Sequence, residues 1–519
     1  MYEFIKTSKN EIDDNNLEKD KCIELLEPIF INKNSSIIPS NLYTETDFFD
    51  NNGNKDNSVF SKINKCKTFF GEMYLKNKLL NPKISYIKEP IVKENNIECL
   101  EYIKKHQKCL ISFLDPINPI YENIYIHKKV VSLLKHKNLK DSSQYIYNCF
   151  NLFLPLYNIF SLPIVLVLFA VFKKYIPEYL LPKIKYMIDM SFMGLTNLNI
   201  FKVKTITGLI KTILYIGFFI YNIYSSIKFS VLTYILRNKI IEKLDIIKTI
   251  IKKTQEIFTQ HSYNSEPLAE IDLTYKHNGE AMNKYMGLFK SDKLVSYIKY
   301  IGLIDYNNNR QLLRKSGYSL PNSIKLKKPL IIFKKMGNPL LDNSVKNSIS
   351  IHDNILITGP NACGKSTFIK SLTINILLAQ TIGLCYSKYM LFTPFSYIDT
   401  QIYNTDEIGK LSLFQNQIKR MDDYIEKIKN TDGFVFSVID ELFNATNYKD
   451  SEKVSDIYCN KLLNNKSITI ITTHLDKITK KRPKFKNYKM VITKNLEGLK
   501  FTYKIKEGVN TESSLSHLI

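Results

Sequence analysis

The run Gly359-Pro360-Asn361-Ala362-Cys363-Gly364-Lys365-Ser366-Thr367 fits the phosphate-loop pattern G-x-x-x-x-G-K-[ST] in full. Glycines let backbone N–H groups approach phosphate oxygens, and a helix start behind the loop adds positive potential. Lys365 is placed to reach the β- and γ-phosphates of ATP, and the Ser366 hydroxyl to ligate Mg²⁺. Two apolar strands can supply the rest of such a site. Phe434–Ile439 ends in Asp440-Glu441. Asp440 at a strand end can hold the Mg²⁺, and Glu441 can polarise an attacking water. Ser467–Thr473 delivers His474, which can sense a γ-phosphate.

The surroundings agree with that chemistry. Asn354–Ile357 reads as a short buried strand before the loop, and Thr367–Thr381 as a helix with apolar residues at helical spacing. Ser412-Leu413-Phe414-Gln415-Asn416-Gln417 precedes an amphipathic pattern running through Ile428. Taken alone, Ser412 reads as an N-cap.

In order, these pieces resemble the MutS family of DNA-repair ATPases. The phosphate loop at 359–367 is similar to the family's loop. Leu377–Gly383 resembles the helix end Ala-Gln-x-Gly, and Asp440–Asn447 the second acidic motif. Thr472-Thr473-His474 resembles the Thr-His motif, and Phe501-x-Tyr503 through Gly508 the closing strand. Met336–Leu341 with Val345–Asn347 resembles the segment leading into the ATPase domain. Asp406 with Ser412-x-Phe414 resembles the signature that reaches the nucleotide of the opposite subunit. The resemblance implies an α/β C-terminal ABC-type P-loop ATPase domain preceded by a mostly α-helical core and lever region. It further implies ATP and Mg²⁺ as cofactors, a homodimer closed through Ser412 and Phe414, and mismatched or branched double-stranded DNA as ligand. Glu441 and His474 take the catalytic roles.

The departures are specific. Gln417 stands where the signature has Glu, and Asn444-Ala445 stand where Arg-Gly is expected. The mismatch-reading and connector domains are not recognisable. Phe70-Gly71-Glu72 superficially matches the family's Phe-x-Glu mismatch reader, but its setting predicts a core residue of a helix.

Composition supports a folded chain with room for two to four domains: 519 residues, 44% hydrophobic and 24% charged. A net charge of +24 suits a polyanion, yet the lysines are spread along the chain and the Lys/Asn/Ile/Tyr bias also fits an AT-rich genome. The eight cysteines form no C-x-x-C pair, which argues against zinc and for free thiols in a reducing, intracellular compartment. Cys363 reads either as an oxidation-sensitive element of the loop or as a plain small residue. The charged N-terminus is no secretion signal.

The middle of the chain has a different character. Ser142–Phe172 contains 31 residues without a charge, and Thr212–Ile227 contains 16 more. A bilayer-spanning helix needs about 20 apolar residues. Two readings stand for 142–236: a transmembrane hairpin anchoring a cytosolic ATPase, or buried lever and core helices. The expected organisation is a polar segment (1–60), a helical core (61–141), the hydrophobic insert (142–236), a lever helix and connector (237–330) and the ATPase domain (331–519). Correspondingly, the chain reads as a DNA-repair or recombination ATPase, or as a membrane-anchored ATPase with another role.

Overall fold

The computed structural model describes residues 17–31, 38–50, 54–83, 97–115, 178, 182–183, 206–261, 271–275, 278–289, 291–402, 413–443, 447–463, 466–473, 485–495 and 498–510. An N-terminal helical region precedes a mixed α/β C-terminal region. The chain forms two compact units, one of residues 1–25 with 105–297 and one of 26–104 with 298–519.

The helices before the sheet are α1 (Lys19–Phe30), α2 (Ser40–Glu45), α3 (Val59–Ile63), α4 (Phe69–Leu80), α5 (Ile97–Ile111), α6 (Ile206–His261), α7 (Asn278–Leu288) and α8 (Asp292–Lys315). Thr68 caps α4, its side chain accepting from Gly71 N. The Asp305 carboxylate of α8 lies over the same helix start and accepts from Thr68 N at 2.7 Å and from the Thr68 hydroxyl at 2.8 Å. A side chain on Gly71 would meet that carboxylate at 2.3 Å, so the packing of α8 on α4 requires glycine there. Phe70 is wholly buried in α4, as a core residue and not a reader of DNA.

The α/β region starts with β1 (Asn322–Ser323), β2 (Ile331–Met336), β3 (Asn347–Ile351) and β4 (Ile355–Thr358). There follow α9 (Lys365–Thr381), β5 (Tyr389–Phe392), β6 (Phe395–Gln401), α10 (Leu413–Asn430), β7 (Phe434–Ile439), α11 (Tyr448–Lys461), β8 (Ser467–Thr473), β9 (Lys486–Asn495) and β10 (Gly498–Glu507). A small sheet has the order β1-β5-β2-β3, and the large one β10-β9-β4-β8-β7-β6. Within the large sheet β9, β4, β8, β7 and β6 run parallel, and β10 is antiparallel to β9. Every residue of β4 and β8 is buried, as expected of parallel strands covered on both faces. Alternate residues serve opposite layers: Ile355, Ile357, Val438 and Ile470 pack with α9, and Leu356, Ile439 and Ile471 with α10 and α11.

Side chains from distant parts of the sequence complete β6. The Gln380 amide of α9 exchanges both hydrogen bonds with the Phe395 backbone, each at 2.9 Å. Asn41 of α2 donates to Thr400 O at 3.3 Å, and Arg420 donates to the same oxygen at 2.9 Å. Glu45 accepts from Ile402 N at 2.8 Å and pairs with Arg420 at 2.7 Å.

Asp399 sits on β6 beside that pair, and burial pushes its carboxyl up to about 6 despite the Thr400 N–H bond and the Arg420 charge. The unfolded value is about 4, so the folded protein holds the proton more tightly between these two values. Asp399 therefore opposes folding above about pH 6, and the penalty fades as pH falls toward 4. Asp399→Asn is expected to stabilise the protein by about 1–3 kcal/mol at pH 7.5 and by almost nothing near pH 4. Denaturant unfolding of both proteins across that range checks it; an equal effect at both ends would remove Asp399 as the titrating group.

The hydrophobic middle requires a correction. Among the described residues no helix is long and apolar enough to cross a membrane. Residues 212–227 belong to α6, a single helix of 56 residues. Their uncharged window of 16 residues is shorter than the roughly 20 a bilayer core requires, and the helix continues into Lys239, Glu242, Asp245 and Lys248. The transmembrane hairpin and the membrane anchoring built on it are withdrawn. The first apolar stretch, 142–172, lies outside the described residues.

Candidate nucleotide site

The loop 359–364 joins buried β4 to α9, whose N-cap is Gly364 at φ 95°. Two turns of chain conformation shape it. Ala362 (φ 63°) and Gly364 both occupy the left-handed region, which turns successive N–H groups toward one side. A Cβ on Gly359 would lie 2.6 Å from Cys363 Sγ, so the loop closes on itself only with glycine at that position. Cys363 is buried and burial pushes its thiol up, which makes it a packing residue of low reactivity.

Lys365 is buried, and its ammonium donates to Gly359 O at 2.9 Å and Pro360 O at 3.1 Å. Burial pulls its pKa down, while Cys363, Glu441 and Asp440 pull the other way. The sheet brings the loop lysine and the acidic pair to one end, with Thr358 beside Thr473 and Ile439 beside Ile471, although 75 residues separate Lys365 from Asp440. Ser366 and Thr367 are exposed at the helix start.

Asp440 and Glu441 follow β7, with the Asp440 N–H bonded to Gln401 O at 2.9 Å. Thr472 of the neighbouring β8 fixes both acids. Its hydroxyl oxygen accepts from Glu441 N at 2.9 Å, and the hydroxyl donates to the Asp440 carboxylate. Glu441 and Phe443 both have φ 56°, a conformation non-glycine residues rarely adopt and one that recurs at functional sites. Sequence reasoning picked out Thr472 only as part of a motif; the parallel pairing of β7 with β8 reveals its part here.

Of the other expected residues, His474 and Ser412 lie outside the described residues, as do Asp406, Asn444 and Ala445. Phe414 begins α10 and packs edge-on against Phe443, with ring centroids 5.9 Å apart. Gln417, one turn further, is buried and lines a small crevice with Gln401 and Asp440–Phe443. The start of α10 and the acidic loop are thus one packed assembly.

A larger cavity was not foreseen. About 270 Å³ in volume, it lies beside the loop and is bounded by Gly364, Thr367, Phe368, Met336–Asn338, Asn343–Val345, Asn347 and Tyr503. Tyr503 stands at a register shift in β10 with φ 55°, and its ring approaches Gly364 so closely that a Cβ there would lie 3.0 Å from it. Asn347 grips the irregularity from both sides, donating to Tyr503 O and accepting from Ile505 N, each at 3.0 Å. The sequence signal was the resemblance of 336–347 and 501–508 to family segments, which gave their kinship but not their convergence.

For the magnesium expected with ATP, the donors present are the Ser366 hydroxyl and the Asp440 carboxylate. That set fits a hard cation which keeps several of its waters, and Asp440 is half-buried at the strand end where such a group is needed. Among the described residues no cluster of three or more His, Cys, Asp or Glu could hold a metal by itself.

The fold and site together define an α/β domain of ATPase-like type, with its loop, acidic pair and side cavity at one end of a parallel sheet. Residues 355–516 match MutS domain V. A DNA mismatch repair protein MutS from Persephonella marina is 29% identical over 244 residues, covering 44% of this chain and 27% of that protein. MutS protein homolog 4 from Mus musculus is 28% identical over 170 residues, covering 31% of this chain and 17% of that protein. A DNA mismatch repair protein MutS from Thermotoga petrophila is 25% identical over 178 residues, covering 33% of this chain and 22% of that protein. Through this region the chain is homologous to MutS-family DNA mismatch repair proteins, and it spans about a quarter or less of the length of these relatives.

Proposed function

We propose that the protein binds and hydrolyses ATP at 359–367 and couples ATP-driven closure of two copies to holding double-stranded DNA, in mismatch repair or recombination. The observation that carries this reading is that the strand–loop–helix unit at 355–381 and the acidic pair after β7 stand at the same end of parallel strands on either side of β8. The loop N–H groups and Lys365 bind the phosphates. The cavity between Tyr503 and the 336–347 segment takes the nucleobase, whose flat face suits the tyrosine ring. Bound Mg²⁺ would neutralise charge on the transferring phosphoryl group. Glu441 orients and polarises the attacking water, and His474 senses the γ-phosphate. Ser412 and Phe414 meet the nucleotide of the second copy, so turnover requires the pair.

Similarity to the mismatch repair relatives supports the DNA ligand, and the net charge of +24 is compatible with it. The test is retention of homoduplex, mismatched duplex and four-way junction by the Glu441→Gln protein with ATP or ADP at two salt concentrations. Nucleotide-dependent preference for mismatch or junction is the expected result. Binding indifferent to nucleotide and DNA form would overturn the DNA part of the reading.

Thr472 gives a separate prediction. Thr472→Val keeps the shape of the β8 strand but removes the hydroxyl that joins Glu441 N to Asp440. Steady-state ATP turnover is expected to fall about 10- to 100-fold, as when an outer partner of a reacting group is lost, with ATP affinity nearly unchanged. Unchanged turnover would mean that the acidic pair needs no such support.

A further inference from the structure

The upper part of α6 carries an apolar face open to solvent. Ile210, Ile213, Gly217, Ile220, Tyr224 and Ile227 are all exposed, with Tyr221 beside them. Their spacing is three, four, three, four, three, the seven-residue repeat of a helix seam that packs against another helix. The five large side chains in the repeat, with Tyr221, are 39–63% exposed. Followed down the helix in seven-residue steps, the same face carries half-buried Val231 and Ile241 and exposed Asn238, Asp245, Lys248, Lys252 and Gln255. That face is thus apolar and exposed through Ile227 and mostly polar from Asn238 onward, with Ile241 half-buried among the polar residues.

We infer that this stripe pairs with the same stripe of a second copy, antiparallel, about a two-fold axis between Phe218 and Phe219. Three observations select that occupant. The first is the pattern itself: reversing the helix about that point places Ile210 opposite Ile227, Ile213 opposite Tyr224 and Gly217 opposite Ile220. Every layer joins the two alternating seam positions, as antiparallel helices require, and the missing side chain of Gly217 is filled by an isoleucine. A parallel pair would put glycine against glycine and tyrosine against tyrosine. The second is Gly217. A glycine within a helix costs about 1 kcal/mol relative to alanine. Among the described residues nothing lies within 4 Å of where its Cβ would be. The third is area. The six exposed side chains offer roughly 700 Å² per copy, near the ~800 Å² per partner of a standard interface. Only Lys211 and Lys228 carry charge between 206 and 236, so two copies meet without a row of like charges.

The test is sedimentation of the full-length protein without nucleotide, in a Lys365→Ala background, so that closure at the ATP site contributes nothing. A dimer at tens of micromolar is expected. Ile213→Glu and Ile220→Lys should each weaken self-association at least ~30-fold while leaving helix content unchanged by circular dichroism. Ile213→Glu combined with Tyr224→Lys should restore the dimer, because antiparallel pairing sets the introduced charges opposite their complements. A monomeric starting protein would overturn the pairing. Dimers indifferent to the single changes would do so too, and would assign association to another surface. Failure of the double change to restore the dimer would overturn the antiparallel arrangement. Loss of thermal stability in the single variants without any change in mass would show that the chain covers the stripe itself, again against the proposal. Each of these outcomes is independent of whether ATP binds at 359–367.

Discussion

Lys365→Ala is expected to weaken ATP binding at least ~100-fold, a loss of about 3 kcal/mol. The reasoning starts from what the ammonium does without nucleotide. It is buried and donates to the Gly359 and Pro360 carbonyls, which satisfies its protons where water does not reach. Burial pulls its pKa down, so the charge is held at a cost that a phosphate oxygen would relieve far better than two neutral carbonyls. Alanine removes that charge and leaves two loop carbonyls to water. Titration with a fluorescent ATP analogue measures the effect. Wild-type affinity in the variant would refute the assignment of the loop. Lys365→Arg is a useful companion, because it keeps the charge but cannot fit the same pair of carbonyls.

The second large effect concerns Glu441. Glu441→Gln should reduce hydrolysis about 10²- to 10⁴-fold while ATP still binds, so the nucleotide accumulates unhydrolysed and the two copies stay closed. The change is nearly isosteric. The backbone N–H of residue 441, which donates to Thr472, is untouched, and so is the left-handed conformation already present there. Only the basicity of the side chain is lost. Single-turnover hydrolysis with radiolabelled ATP separates the chemical step from binding and release. A normal rate would remove Glu441 from the mechanism and leave the acidic pair with Asp440 alone. This variant also serves the DNA experiment, since it holds the ATP state long enough for retention to be compared.

How much of this was legible in the sequence depends on how local the controlling physics is. The shape of the loop 359–364 was legible because its requirements lie within a few consecutive residues: left-handed turns at Ala362 and Gly364, a small residue at Gly359 and a helix start at Lys365. The strands β4, β7 and β8 were legible because strands buried on both faces are continuously apolar. Thr472 was legible as a motif member but not as the bridge between two acids, since register between strands is not written in either strand alone. The cavity bounded by Asn347 and Tyr503 joins segments 156 residues apart. The hydrophobic insert shows the opposite failure. Mean apolarity over 212–236 is the same for a membrane helix and for a seam between helices. What separates a membrane helix from the helix observed is that 212–236 belongs to one continuous helix, Ile206–His261, which runs on into charged residues, and helix boundaries are not written in mean apolarity.

The dressing of β6 has a consequence for how the ATPase region can exist. A terminal strand in a parallel sheet offers a row of unsatisfied N–H and C=O groups, a template on which a foreign strand can grow. Here four side chains from elsewhere in the sequence occupy this row, two of them, Asn41 and Glu45, from a short helix some three hundred and fifty residues upstream. Helix α2 therefore covers part of the edge on which a foreign strand could add. A fragment cut to the boundaries of its sequence match would keep the loop 359–367 and Asp440-Glu441, yet lose the Asn41 and Glu45 contacts to Thr400 and Ile402. The sheet of the α/β region therefore depends on a segment far upstream for part of its edge.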